Sequence, residues 1–315
     1  MPELPEVETI ARQLRSMVVG RTVSEFRSEW VRLTEPEPAE LFAKRLAGRR
    51  IEDVRRRGKF VVFDLSGGDA LVVSLRMTGR FLFRSAEQSL PHDPAHRNGD
   101  AYCEAAGRRN VSSESYIRGT LTFADGTSLA YSDTRKFGRM ALVDVSDLPA
   151  PSGAAPRPRR VGEPLYAMLG MEPLSRGFTV RWLTEFLKRR ARAAIKPLLL
   201  DQRGIAGIGN IYAIEALWRA RIHPLRNAGS LRADEVARLY EALRWVLRKG
   251  IRFGGASRRD YRDARGNEGR MQQEFRVYGR VGEPCPRCGR AIVRTVVGGR
   301  GTFHCTRCQR APKAI

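Results

Sequence analysis

Several features of secreted and membrane proteins are scarce in this chain of 315 residues. Its first residues contain neither a basic segment nor an apolar run, so we expect no signal peptide. No long apolar stretch or basic amphipathic helix is evident, which argues against a membrane protein. Only five cysteines occur, four of them in two closely spaced pairs, and this favours a reducing compartment. These absences predict a cytoplasmic or nucleoid-associated protein without a membrane partner.

Acidic residues are scarce in the second half of the chain. Residues 1–150 contain 23 Lys and Arg against 21 Asp and Glu, whereas residues 151–315 contain 34 against 13, and together they give a net charge of +23. Such a field attracts a polyanion, with binding that weakens steeply as salt rises. Only seven of the 57 basic residues are lysine, which draws attention to each lysine. The charge distribution predicts a nucleic-acid partner.

The first half of the chain has the pattern of a small β-rich domain with one helix. Apolar residues at helical spacing follow Pro5, which suits the first turn of a helix, and Gly20 is expected to end it. They are Val7, Ile10, Leu14 and Met17. Strand-like runs then flank Gly67-Gly68 and Asp125-Gly126, and both are hairpin signals. We expect a β-sandwich with an N-terminal helix, and a long loop at residues 86–118.

The second half is predicted to be helical. Amphipathic patterns cover residues 182–187 and 236–247, and the proline-rich stretch Pro149–Arg160 indicates the domain boundary. Between the helices, Gly204, Gly207 and Gly209 precede a further helix. The backbone amides of such a turn can meet a phosphate, although a plain connection between helices has the same pattern. A polar loop at residues 254–270 follows.

Two Cys-x-x-Cys pairs near the C-terminus predict a metal site. Sixteen residues separate the pairs, a spacing that suits one tetrahedral zinc ion, and four thiolates leave no position for a catalytic water. The ligands are Cys285, Cys288, Cys305 and Cys308. Two β-rich arms join at Gly298-Gly299-Arg300-Gly301, so Arg300 is expected to project from a tight turn. The zinc is therefore structural, and the arginine is either a phosphate contact or incidental.

The N-terminus offers an uncommon nucleophile. Methionine is usually removed before proline, which would leave Pro2 as a secondary amine. An α-amine has a pKa of about 7.7–8.0, so a useful fraction is unprotonated near neutrality and can attack an aldehyde carbon. Glu3 would lie beside it as a proton-exchanging carboxylate. The alternative is that Pro2 and Glu3 simply begin a helix.

The ordered set of motifs resembles the formamidopyrimidine-DNA glycosylase family of bacterial base-excision repair, over residues 2 to about 310. The motifs are Met1-Pro2-Glu3-Leu4-Pro5-Glu6-Val7-Glu8-Thr9, Arg57-Gly58-Lys59-Phe60, Asp133-Thr134-Arg135-Lys136-Phe137-Gly138, Ala194-Ile195-Lys196-Pro197, Gly207-Ile208-Gly209-Asn210-Ile211-Tyr212, Phe275-Arg276-Val277-Tyr278-Gly279-Arg280 and the four-cysteine ribbon.

The resemblance implies an α+β multidomain fold with DNA in the cleft between domains. Its parts are a catalytic β-sandwich domain with an N-terminal helix (1–150), a linker (151–177), a helix–two-turns–helix DNA-binding domain with a lesion-capping loop (178–282) and a four-cysteine zinc finger (283–312). It also implies a bifunctional glycosylase and abasic-site lyase that everts oxidised purines, 8-oxoguanine and formamidopyrimidines, from double-stranded DNA. A monomer is sufficient for that chemistry.

The resemblance further implies roles for individual residues. Pro2 would attack C1′ and form a Schiff base, followed by β,δ-elimination, with Glu3 assisting sugar-ring opening and Glu6 supporting it. Lys59 and Arg300 would complete the catalytic set, and with Asn210 they would contact phosphates around the lesion. The remaining DNA-binding residues would be Met77, Arg135, Phe137, Lys196 and Tyr212. Three of these, Met77, Arg135 and Phe137, would fill the space left by the everted base, unless Met77 and Phe137 belong to the sandwich core.

Three positions depart from the family pattern. Ser74 stands where histidine is frequent, Lys136 where a second arginine is usual, and Arg270 where the capping loop often has tyrosine. They bear on DNA contacts and on the preferred base. Two other functions stay open: an endonuclease VIII-like glycosylase for oxidised pyrimidines, against which Leu4 argues, and a DNA-binding zinc protein without catalysis.

Overall fold

The computed structural model describes residues 1–87, 116–148, 164–258 and 260–312, and it begins with an amphipathic helix. This helix, α1 (Leu4–Val18), has Pro5 in its first turn and buries the predicted stripe except for Met17, which is half-buried. The Glu6 carboxylate accepts the Glu3 amide at 2.8 Å, so one of the unpaired donors of the first turn is satisfied.

Two four-stranded antiparallel sheets follow α1. One has the strand order β1-β6-β7-β5 and the other β2-β3-β4-β8. The strands are β1 (Val23–Arg27), β2 (Ile51–Arg57), β3 (Phe60–Leu65), β4 (Asp69–Ser74), β5 (Arg80–Arg84), β6 (Ile117–Phe123), β7 (Ser128–Ser132) and β8 (Arg139–Asp144), with a short helix α2 (Ala39–Leu46) before β2. Both predicted hairpins form, as β3–β4 and β6–β7.

The two sheets share one apolar core, and this confirms the predicted β-sandwich. Val61 and Phe63 of one sheet lie in the same buried cluster as Phe81 and Tyr131 of the other. The inward side of α1 joins that cluster through Ile10 and its apolar neighbours. In β3, Val61 and Phe63 face this core, whereas Phe60 and Val62 lie in a second buried cluster with Leu169 and Ala206, so both sides of this strand are covered.

Helices form the second half. They are α3 (Val180–Arg189), α4 (Ile195–Leu200), α5 (Asn210–Ala220) and α6 (Ala233–Arg252). Their core includes Leu4, the first residue of α1. The beginning of the chain is therefore packed into the helical half, while the rest of α1 belongs to the sandwich. In the described part of the chain, no helix has the length and apolar character needed to cross a membrane.

A two-stranded hairpin lies between the cysteine pairs. Its strands are β9 (Val293–Val297) and β10 (Arg300–His304), with Arg300 opposite Val297. Gly298 and Gly299 have φ of +59° and +70°, the left-handed conformation that a two-residue hairpin turn requires and glycine allows. Together with the sandwich and the helices, this hairpin confirms the predicted fold class.

Part of the segment predicted as linker is packed. The buried Arg57 side chain donates to Glu172 at 2.9 Å and to the carbonyls of Leu169 and Gly170 at 2.8 and 2.7 Å. The Gly58 amide donates to the same Glu172 carboxylate at 2.6 Å. The stretch Pro149–Arg160 and most of the 86–118 segment lie outside the described residues, and the end of the latter already belongs to β6.

Candidate active site at the N-terminus

Glu3 occupies the N-terminal end of α5. Its carboxylate accepts the backbone amides of Ile211 at 3.0 Å and Tyr212 at 3.4 Å, and the residue is 4% exposed. The first amides of a helix carry partial positive charge and have no partner within the helix. Glu3 is thus a capping residue supplied from more than 200 positions away in the sequence.

The glycine-rich turn before α5 leaves room for Glu3 and Leu4, because its glycines have no Cβ atoms. A Cβ atom on Gly209 would lie 2.1 Å from the Glu3 Cδ, and one on Gly207 would lie 2.8 Å from the Leu4 Cβ. The Leu4 amide donates to the Gly207 carbonyl at 3.0 Å. The sequence predicts a phosphate cradle or a plain connection for this turn. The amides of Ile211 and Tyr212, just after it in α5, bind a carboxylate of the same chain.

Glu6 lies beneath Glu3 and is 2% exposed. Three donors converge on it: the Glu3 amide at 2.8 Å, the Tyr212 hydroxyl at 2.7 Å and the Ala256 amide at 2.8 Å. Burial and the neighbouring Glu3 charge raise the pKa of Glu6 to about 7, although the three donors oppose the shift. Near neutral pH this carboxyl can therefore hold or release a proton.

Three cations from three different elements are linked electrostatically to one another and to Glu3. Desolvation is the main cause that lowers the pKa of Lys59; the Glu3 charge, the next largest effect, raises it, and the Arg300 charge lowers it. Lys196 is fully buried and donates to the Val297 carbonyl at 3.3 Å. Desolvation and Arg300 lower its pKa to about 8, against the opposing effect of Glu3. Lys59, Lys196 and Arg300 thus share one electrostatic site with Glu3.

Asn210 connects α5 to the zinc hairpin. Its side-chain amide donates to the Gly301 carbonyl at 3.0 Å. The opposite atom, Oδ1, is buried and has no hydrogen-bond partner in the described part of the chain. Arg300 directly precedes Gly301 and is exposed. The Asn210 side-chain amide and the Arg300 guanidinium therefore present polar groups at the same place. Residues from α1, the β2–β3 turn, α4, α5 and β10 therefore meet at the N-terminus.

A second group of predicted residues lies at the edge of the sandwich. Met77 and Phe137 are 43% and 49% exposed, so neither belongs to the core. The Arg135 guanidinium lies 4.9 Å from the centre of the Phe137 ring and 3.0 Å from the Met77 sulfur. The three side chains thus form one exposed cluster of two apolar groups and a cation.

Asp133 holds the loop that carries this cluster. It is fully buried, accepts the amides of Arg135, Phe137 and Gly138 at 2.8–3.1 Å, and also pairs with the Thr78 hydroxyl. From sequence, Asp133 has no predicted role. An aspartate that ends a strand-like run can accept the amide two residues on, as in an Asx turn, and this signal could have indicated it.

The four cysteines form the zinc site. Their Sγ atoms all lie within 4.8 Å of one another, and those of Cys288 and Cys305 are 3.4 Å apart. Zn–S bonds of about 2.3 Å place tetrahedral ligands about 3.8 Å apart, so the donor set fits one zinc ion. Cys285 and Cys305 are buried, and the ion would brace the hairpin that carries Arg300.

Two residues predicted to bind DNA have no exposed side chain. Lys196 and Tyr212 are each 0% exposed, and the Tyr212 hydroxyl is committed to Glu6. Neither side chain can touch a ligand in this conformation because protein atoms cover it. Their contacts with Val297 and Glu6 instead position parts of the site. Of the three departures from the family pattern, Ser74 is buried, whereas Lys136 and Arg270 are exposed.

Residues 254–258 and 260–270, the described part of the predicted capping loop, pack against α1 near Glu6. Tyr261 donates to the Glu6 carbonyl at 3.3 Å and to the Gly254 carbonyl at 3.1 Å. Gln13 of α1 binds the same loop twice, donating to Asp263 at 2.8 Å and accepting the Ala264 amide at 2.9 Å. Sequence reasoning missed Gln13 and Tyr261, since no local pattern links positions about 250 residues apart.

Three family models match most of the chain. The formamidopyrimidine-DNA glycosylase N-terminal domain matches residues 1–140, the H2TH domain of the same glycosylases matches residues 169–262, and a zinc finger found in FPG and IleRS matches residues 282–311. A formamidopyrimidine-DNA glycosylase from Roseiflexus sp. (strain RS-1) is 44% identical over 311 residues, with 98% of this chain and 100% of the relative covered.

Solved structures agree over the same length. MutM (Fpg) from Thermus thermophilus is 40% identical, with a TM-score of 0.75 and 98% of each chain covered. A Lactococcus lactis FPG mutant in complex with DNA that contains Fapy-dG is 32% identical, with a TM-score of 0.78 and coverage of 98% of this chain and 100% of the other.

Proposed function

This chain belongs to the formamidopyrimidine-DNA glycosylase family, and from that premise we propose that it excises oxidised purines from double-stranded DNA with Pro2 as the nucleophile. The reaction is a glycosylase step followed by abasic-site lyase chemistry. Its substrates are 8-oxoguanine and formamidopyrimidines in duplex DNA, and abasic sites. One protein molecule carries all the groups required, so we propose that it acts as a monomer on chromosomal DNA.

The burial of Glu3 and Glu6 next to the N-terminal residue carries the proposal. Met1 is 49% exposed, whereas Pro2, Glu3 and Glu6 are buried. Removal of Met1 would leave the secondary amine of Pro2 at the mouth of a site that already holds a fixed carboxylate. The capping contact fixes the Glu3 carboxylate directly beside Pro2 in the chain, where it can exchange a proton with a sugar bound to the Pro2 nitrogen, and this supports the catalytic interpretation.

The chemistry follows from these groups. The Pro2 nitrogen donates its lone pair to C1′, the glycosidic bond breaks, and its electron pair leaves with the base. Opening of the sugar ring puts a second electron pair on O4′, where Glu3 exchanges a proton. The resulting iminium acidifies the C2′ proton, and its loss expels the 3′ phosphate; a second elimination releases the 5′ phosphate. Glu6 holds Glu3 by accepting its amide.

The cations then bind the backbone on either side of the everted nucleotide. Lys59 and Arg300, which reach the site from the sandwich and the zinc hairpin, would each neutralise a phosphate, and Asn210 would add a hydrogen bond. The mutual repulsion of Lys59 and Arg300 supports this role, because a bound phosphate would relieve it, and the donor from Asn210 would be its side-chain Nδ2. The binding should weaken steeply with salt.

The cluster at the sandwich edge would replace the everted base in the stack. Phe137 and Met77 supply apolar surface, and Arg135 supplies hydrogen bonds to the orphaned base. Asp133 is proposed to hold this cluster ready. We also retain the predicted domain limits at 1–150, 151–177, 178–282 and 283–312 as part of the proposal.

Borohydride trapping tests the proposal. The protein is mixed with a duplex that carries 8-oxoguanine opposite cytosine, and with a matched thymine-glycol duplex in parallel. We expect a covalent adduct on the first duplex that disappears when Met1 is retained or the N-terminal amine is blocked. Glu3→Gln should reduce trapping, whereas Glu52→Gln, an exposed change on β2, should not.

The other outcomes are equally informative. Trapping confined to thymine glycol would assign the protein to the pyrimidine branch. A trimmed N-terminus with tight DNA binding but no adduct on either duplex would contradict catalysis and leave a DNA-binding zinc protein.

A further inference from the structure

The outer face of α6 carries a basic surface that the proposed reaction does not use. We call it the basic α6 surface. It consists of Arg219, Trp245, Arg248, Lys249, Arg252 and Arg287. These residues line two adjacent surface grooves of about 390 and 720 Å³ between α6, the end of α5 and the first cysteine pair. Such volumes match a few side chains of a ligand.

This surface faces away from the N-terminal site. A Cβ atom on Gly250 would lie 2.6 Å from the Tyr212 ring and 2.8 Å from Pro5, so that side of α6 packs on the catalytic residues. Trp245, Arg248 and Arg252 recur at i, i+3 and i+7 on the opposite, exposed side. A ligand there would not compete with DNA at Glu3.

Most cations of the basic α6 surface lack an acidic partner. Lys249 pairs with Glu274, but in the part of the chain that the structure describes, no carboxylate forms an ion pair with Arg219, Arg248, Arg252 or Arg287. Burial and the Arg287 and Arg276 charges lower the pKa of Arg219. The Arg219 guanidinium is therefore repelled by the neighbouring Arg287 charge, and an anionic ligand would relieve that repulsion.

The arrangement favours carboxylates over nucleic acid. The Trp245 ring is 39% exposed, but the Arg219 guanidinium and the Lys249 ammonium lie 3.8 and 4.9 Å from its centre. A stacked base would have to displace these cations. Glu241 lines both grooves; a peptide can place an uncharged residue beside this carboxylate, whereas a continuous phosphate backbone cannot. Separate carboxylates can instead bridge the cations while an apolar side chain lies against the tryptophan edge.

We propose that the basic α6 surface binds an acidic peptide segment of another protein, with carboxylates on Arg219 and Arg248 and an apolar residue against Trp245. A second copy of this chain is disfavoured because each copy carries a net charge of +23. Binding would recruit the partner while the DNA cleft stays open.

Fluorescence anisotropy tests this proposal with the full chain. The probe is a labelled peptide of repeated Glu-Asp-Leu, and the control peptide has Gln and Asn in place of the acids. The double variant Arg219→Ala, Arg248→Ala should weaken binding of the acidic probe by about fivefold at low salt. The matched variant Arg32→Ala, Arg50→Ala removes two exposed charges from the sandwich and should change it little. Arg248→Lys should retain most binding.

Two further results are expected, and three would overturn the proposal. A lesion duplex should bind alongside the acidic probe, and borohydride trapping should be unchanged in the Arg219/Arg248 double variant. Equal weakening by both double variants would overturn the proposal, because net charge alone would then explain the binding. Equal affinity for the uncharged peptide would overturn it too, as would displacement of the probe by undamaged DNA together with a loss of DNA affinity in the Arg219/Arg248 variant.

Discussion

Glu6 should make the protein less stable as pH rises through neutrality. Its pKa is raised from 4.5 to about 7 in the fold, so between these values the unfolded chain loses a proton that the native state retains. The unfolded state then binds fewer protons, and the free energy of unfolding falls with pH. This loss of unfolding free energy is complete above the folded pKa of Glu6 and absent at pH values well below its unfolded pKa of 4.5. At about 1.4 kcal/mol per pKa unit, the full loss is about 3 kcal/mol.

Urea unfolding of the wild type and Glu6→Gln at several pH values measures this loss. The glutamine cannot ionise, so the difference between the two proteins isolates Glu6 from other titrating groups. Relative to the variant, the wild type should lose about 2.5 kcal/mol between about pH 5 and about pH 8.5. The weaker hydrogen bonds of glutamine add a constant offset. Glu52→Gln, which is exposed, should show no such trend.

Opposing contributions to the pKa of Glu6 make the urea-unfolding result decisive. The Tyr212 hydroxyl and two backbone amides stabilise the ionised form, whereas burial and Glu3 stabilise the neutral form. A pH-independent difference, or one that grows in favour of the wild type at high pH, would refute the reasoning, because the three donors would then outweigh desolvation.

Three further predictions concern other parts of the site. Gly209→Ala should displace the Glu3 carboxylate from α5 and lower borohydride trapping by about 100-fold, with less effect on DNA affinity. Removal of zinc by a chelator, or Cys305→Ser, should disorder the hairpin and weaken DNA binding, and elemental analysis should find one zinc per native chain. Gln13→Ala should loosen the 254–270 loop, so that the Ala264 amide exchanges about tenfold faster.

Each of these has a contradicting result. Unchanged trapping in Gly209→Ala would mean that Glu3 needs no fixed position. Full DNA affinity after zinc loss would remove Arg300 from the phosphate contacts. Gln273→Ala, a change at an exposed residue, is the control. If the Ala264 amide exchanged hydrogen at the same rate in Gln13→Ala and in this control, the loop would be held by other contacts.

Structural features that depend only on residues close together in the sequence were predicted correctly. The stripe of α1 was expected because helical spacing puts those apolar residues on one face. Gly298 and Gly299 indicated the hairpin turn because few other residues adopt positive φ. The exposure of Phe137 could not be read from local pattern, since an aromatic residue in a β-rich segment is equally suited to a core.

The sequence by itself determined the zinc ligands, the β-sandwich and helical halves, and the concentration of positive charge in the second half, because spacing, periodicity and composition are properties of the chain. Only the tertiary structure decided that Glu3 caps α5, that Glu6 is held by Tyr212 and Ala256, and that Lys59, Lys196 and Arg300 act on one site. Their burial and charges depend on which distant segments pack together, and no local pattern contains that information.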